Sequence, residues 1–145
     1  MRLPRQVFGV PMHPLLVHFP ITLWLAAPAL DLAALAAGPE PWWTLAVWTT
    51  FLGVVIGAVA IVTGFLEYLE PSVAGIDMRL AARHGVRTTL AWCAFTVKLI
   101  LVTAFSTIDV WALSVCIALD LLGCILLVQG VYFGTKQVYD QFEKQ

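Results

Sequence analysis

Two histidines five residues apart, His13 and His18 in the stretch HPLLVHFPI, stand at the mouth of an apolar run. A third, His84, opens a later apolar run between Arg83 and Arg87. Imidazole nitrogens in hydrocarbon are costly unless something binds them, so a ligand, a metal or a structural hydrogen bond must account for these rings. Neutral imidazoles ligate haem iron from facing helices, with cationic side chains where the propionates reach the interface. His18 and His84 are therefore the candidate axial pair of one haem b, with Arg83 or Arg87 on the propionates. Mixed imidazole and carboxylate ligands also suit iron, zinc or copper, which makes His13, His18, Glu67 and His84 a candidate non-haem metal set. Position along the chain fixes depth but not rotation, and His13 and His18 are about 140° apart around a straight helix. Each residue also has a purely structural reading. His13 can cap a helix start before Pro14, His18 can bond a carbonyl freed by Pro20, Glu67 and Glu70 can be solvated at a helix end, and His84 can be an exposed loop residue.

A second polar group lies deeper. Lys98 and Asp120 are equally far from Asp109 along the chain and should be level in the membrane, where an unpaired charge is expensive, so they are expected to pair. Asp31 is within about one helical turn of that level and is the other carboxylate the lysine can choose. Such a cluster fixes helix register or forms half of a proton path.

Other chemistries find no support. Cys93, Cys116 and Cys124 show no C-x-x-C or C-x-x-C-H spacing, which leaves no zinc knuckle, iron–sulfur cage or covalent haem. No phosphate-cradling glycine loop and no nucleophile beside a base is present, so no catalytic residue is assigned. A net charge of −1 argues against nucleic acid.

The elements that must position these residues are membrane helices. With 61% hydrophobic and 12% charged residues and a mean hydropathy of +0.90, the chain has too little polar surface for a soluble domain. Four apolar runs, 14–37, 42–66, 88–107 and 110–133, are each long enough to cross a hydrocarbon core of ~30 Å. The short turns at Gly38-Pro39-Glu40-Pro41 and Ile108-Asp109 make neighbours antiparallel, predicting an all-α, up-down-up-down bundle of four transmembrane helices as one domain over 1–145. The longer connection, Glu67 to Arg87, contains Pro71 and Gly75, and Asp77 to Arg83 is expected as a short interfacial helix. Pro20 and Pro28 predict a kinked first span with freed carbonyls near Leu16 and Trp24. Gly53-x-x-x-Gly57 and Gly130-x-x-x-Gly134 predict close helix packing, or else room for a flat cofactor. No internal repeat is visible. The N-terminal run imitates a secretory signal ending at Ala33 to Gly38, but it exceeds the ~15 residues of a signal core and carries His18 and Asp31. Arg2, Arg5, Arg79, Arg83, Arg87, Lys136 and Lys144 all fall at the termini or in the middle loop, which predicts both termini in the cytoplasm. Trp42, Trp43 and Trp111 should mark the outer interface, and Tyr68, Tyr132 and Tyr139 the inner one.

HPLLVHFPI, Asp31-Leu32, Thr63-Gly64-Phe65-x-Glu67 and Ala82-x-His84-Gly85 together resemble an uncharacterised family of small bacterial membrane proteins, a domain of unknown function, over nearly the whole chain. The family's second-helix acid is usually aspartate and an asparagine often follows its third-helix histidine by four residues, whereas this chain has Glu67 and Thr88. The resemblance implies a bacterial inner-membrane protein, and fusion of relatives to iron–sulfur or cytochrome c domains implies work near electron transfer. Three functions follow as expectations: an electron-transfer module with one haem b, exchanging electrons with quinone or a redox subunit; a cofactor-free accessory subunit of a larger membrane complex; and a non-haem metal protein.

Overall fold

The computed structural model describes residues 6–7, 10–69, 77–105 and 107–142. Arg2, Arg5, Glu70, Pro71, Gly75 and Lys144, which enter the sequence reading, lie outside the described residues. A two-residue antiparallel ladder, β1 (Gln6–Val7) with β2 (Val10–Pro11), precedes five helices: α1 (Met12–Leu16), α2 (His18–Ala37), α3 (Trp42–Tyr68), α4 (Met78–Ala104) and α5 (Val110–Phe142). With α1 and α2 counted as one span, 12–37, four helices are long and apolar enough to cross a membrane. Large apolar side chains such as Phe19, Trp48, Phe51, Ile100 and Ile125 point outward, while Asp31, Thr50, Lys98 and Asp120 are fully buried. That distribution suits a bundle whose solvent is lipid.

The spans depart from their expected ends for local reasons. The third begins ten residues before Thr88, because Asp77 caps it: its side chain accepts from the backbone N–H groups of Arg79 (2.8 Å) and Leu80 (3.4 Å). The expected interfacial helix is thus the first two turns of α4, and His84 sits within a continuous helix rather than in a loop. The fourth runs on to Phe142 and, at 33 residues, is about 50 Å long, well beyond a hydrocarbon core of ~30 Å. The first continues through Val17, which is helical and keeps its bond to the His13 carbonyl (3.1 Å) and its bond from the Ile21 N–H (3.2 Å); Pro20 leaves the Leu16 carbonyl without its helical partner, and Pro28 is carried inside α2.

Around the bundle α2 packs on α3 and α5, and α4 packs on the same two, so α2 and α4 face each other across the centre. Buried positions on α3 are Trp43, Ala46, Thr50, Gly53, Gly57 and Ala60. Those on α5 include Leu113, Cys116, Asp120, Gly123, Leu127 and Gly130. Both sets alternate steps of three and four, the seam of a helix packed in heptad register. The second set is the first shifted by 70 positions. A shift of 71 likewise takes His13, Trp24 and Ala27 to His84, Phe95 and Lys98. The fold is therefore read as two helical hairpins repeated about a pseudo-twofold axis along the bundle. The residue types differ at most equivalent positions, so the repeat resides in burial and not in letters.

Glycines make the seam close. A Cβ on Gly53 would lie 2.5 Å from Trp24 Nε1, and one on Gly123 would lie 2.6 Å from Phe95 Cε2. The two rings thus held, equivalent under the repeat, stack at the centre with centroids 4.8 Å apart and planes 7° apart. The small-residue patterns therefore house side chains of the chain itself.

Candidate functional site: a histidine pair on the pseudo-twofold axis

His13 lies in α1 and His84 in α4, each one step of the repeat from the other. His13 Nδ1 is 2.7 Å from the Ala60 carbonyl of α3, and His84 Nδ1 is 2.8 Å from the Gly130 carbonyl of α5. A carbonyl only accepts, so each ring donates through Nδ1–H, and a neutral ring held this way has its lone pair on Nε2. Neither Nε2 takes a hydrogen bond among the described residues. Each ring also lies over a glycine four residues beyond its carbonyl: a Cβ on Gly64 would be 2.7 Å from His13 Nδ1, and one on Gly134 would be 2.8 Å from His84 Nδ1. The two imidazoles meet edge to face, centroids 6.1 Å apart and planes 86° apart.

The surroundings are polar on one side. The Glu67 carboxylate accepts from the His13 backbone N–H at 3.2 Å, tying the end of α3 to the start of the chain's first helix. On α4, Thr88 donates to the His84 carbonyl at 3.0 Å and to the Gly85 carbonyl at 3.1 Å. The Arg83 guanidinium lies 5.7 Å from the centre of the Phe133 ring, and Arg83 and Arg87 line a shallow surface groove with Ala82 and Val86 on α4, which neither histidine lines.

His18 is placed elsewhere. Its side chain is exposed on the outside of α2, and its carbonyl accepts from Thr22 Oγ1 at 2.8 Å. The imidazole that meets His84 is that of His13, not His18, because the two lie about 140° apart around the helix and His18 falls on its exposed side. Among the described residues no group of three or more His, Cys, Asp or Glu side chains is placed to hold a metal ion. The set His13, His18, Glu67 and His84 is therefore not assembled; the geometry supplies two imidazoles. Sequence reasoning missed their partnership, although the spacing carries a signal for it: His13 to Trp24 equals His84 to Phe95, and Gly53 to Gly64 equals Gly123 to Gly134.

In the other half of the bundle Lys98 Nζ donates to Asp31 Oδ2 at 2.7 Å and to Asp120 Oδ2 at 2.8 Å, all three side chains at 0% exposure. The lysine does not choose between the carboxylates; it bridges them. Cys116 is buried nearby, Cys124 is half-buried and Cys93 exposed.

The family described as "Predicted membrane protein (DUF2231)" matches residues 9–142. No curated protein and no solved structure matches the chain.

Proposed function

The chain belongs to this family of predicted membrane proteins, and from that premise we propose that it is a membrane redox module whose histidine pair, His13 with His84, supplies the two protein ligands of one haem b. The observation that carries this reading is the matched tautomer: two rings from two hairpins, each fixed through Nδ1–H to a backbone carbonyl, each with an unpartnered Nε2. Carbonyl bonding of the distal ring nitrogen is how metal-ligating histidines are oriented and made more basic. Two imidazoles with no third donor among the described residues match the needs of haem better than those of a bare ion, because the porphyrin would provide the other four nitrogens. When bound, the haem carries one electron. The Ala60 and Gly130 carbonyls would hold the rings, and Arg83 and Arg87, on the same helix as His84, would supply cations for the propionates. The partner is then quinone or another redox subunit, and the arginine-bearing end of the bundle, with both termini, faces the cytoplasm of a bacterial inner membrane.

The donor set fits haem, but the closed packing holds no macrocycle between rings in edge contact, so binding requires the hairpins to part along the axis. That contact favours a second reading, a cofactor-free subunit in which the imidazoles only lock the hairpins together. A reduced-minus-oxidised spectrum of protein purified from haem-replete cells separates the two. The redox reading expects haem bands that are lost in His13→Ala and in His84→Ala and retained in His18→Ala. Absence of bands, or bands lost only in His18→Ala, overturns it. Orientation is read separately from reporters fused after Gln145 and within the Gly38-Pro39 turn, with the cytoplasmic signal expected from the first alone.

A further inference from the structure

The corner formed by Asp31 of α2, Lys98 of α4 and Asp120 of α5 has a counterpart generated by the pseudo-twofold axis: Val102 of α4, Ala27 of α2 and Thr50 of α3. The counterpart is filled without charge, Thr50 being satisfied by the Ala46 carbonyl of its own helix at 2.8 Å. Packing of this fold therefore does not demand ions at that level. Burying them is expensive, and a buried ion pair is often no more stabilising than an apolar substitute. Charge is also unbalanced in the occupied corner. One ammonium faces two carboxylates, all at 0% exposure, and Asp31 Oδ1 and Asp120 Oδ1 are buried without a hydrogen-bond partner. Both Oδ2 atoms bond the same Nζ, so the carboxylates are no farther apart than those two bonds laid end to end. Two carboxylates this close in low dielectric do not both stay ionised unless a further cation joins them.

We propose that the Asp31–Lys98–Asp120 triad is a monovalent-cation site in the membrane and that its resident ligand is a proton, held on an Oδ1 atom of the two aspartates. Protonation of either carboxylate makes the corner electrically neutral and supplies a donor where only acceptors stand. The proton adds to one carboxylate oxygen without any bond to carbon changing. The other titratable side chains against the corner are the thiols of Cys116 and Cys124, both on α5; α2 and α3 present none beyond the triad itself. The site does not rest on the histidine reading, since His84 and Lys98 are 14 residues apart on α4, about 21 Å along the helix.

Infrared spectroscopy of the full-length protein in detergent, with aspartate isotopically labelled at the carboxyl carbon, tests this. Carboxylates in contact with water absorb as ionised groups at neutral pH, so the expected result is a label-sensitive carboxylic C=O band equivalent to one group, with Asp109→Asn leaving it unchanged. Asp31→Asn and Asp120→Asn should each remove it, and Lys98→Met should double it. Should those variants fail to fold, the wild-type spectrum still decides. No label-sensitive band at neutral pH overturns the proposal. A band present in N-methylglucamine buffer and abolished by sodium chloride also overturns the proton as resident ligand and assigns the site to sodium.

Discussion

Each histidine ring of the pair rests in a notch that only glycine provides, which makes the notch testable apart from any cofactor. Gly64→Ala and Gly134→Ala each place a methyl under 3 Å from an imidazole nitrogen held by a backbone carbonyl. The ring must leave its carbonyl or the helices must separate, and overpacking of this kind costs about 1–3 kcal/mol. Both variants should lower the unfolding midpoint in detergent, whereas Gly85→Ala, with open space around its Cβ, should not. Lys98→Met should cost more, about 3–5 kcal/mol, because it takes the cation from the one ionised carboxylate of the triad, which must then bind a proton to stay buried; equilibrium unfolding in mixed micelles measures it. At this scale the sequence showed which residues were out of place in hydrocarbon, and it put Lys98, Asp31 and Asp120 at one level. It did not show that His13 rather than His18 turns inward. Depth follows from counting residues, but rotation depends on which face of the first span packs on its neighbours, and the packing of α1 on α3 makes His13 the inward one.

Helix identity was legible because apolar runs of span length leave no alternative in a bilayer, where every backbone group must bond within its own segment. Helix ends were less so. Asp77 two residues before Arg79 is an N-cap signal written in the chain, yet the arginines that follow it read as loop or interface by composition. In the structure they lie on α4, whose first turns reach beyond the apolar stretch and carry His84 into the bundle. The cap therefore supports the site indirectly. Asp77→Ala should cost about 1 kcal/mol and should speed amide hydrogen exchange at Arg79 and Leu80 while leaving the core of α4, around Phe95, protected. Equal loss of protection along the whole helix would show that α4 is held by its cap and not by its seam.

Over the whole molecule, the repeat of two hairpins explains why chemistry appears where it does. An axis of pseudo-symmetry brings equivalent positions of α2 and α4 face to face, and mated side chains meet there: His13 with His84 at one level, Trp24 with Phe95 at another. Off the axis each corner occurs twice, and the two copies are free to diverge, as the charged triad and its apolar counterpart have done. The letters conceal this because a buried position accepts any residue of fitting volume, so Thr50 and Asp120 are structural equals without resembling one another. The equivalence predicts that the triad can be moved. Asp31→Val, Lys98→Ala and Asp120→Thr empty one corner, while Val102→Asp, Ala27→Lys and Thr50→Asp fill the other with the same groups on equivalent helices. The sixfold variant should purify as a monodisperse species with an unfolding midpoint near that of the wild type, whereas Ala27→Lys alone buries an unpaired ammonium and should fail to accumulate. A sixfold variant as unstable as Ala27→Lys would show that the two corners are not equivalent and that the hairpins share a burial pattern without sharing a packing geometry.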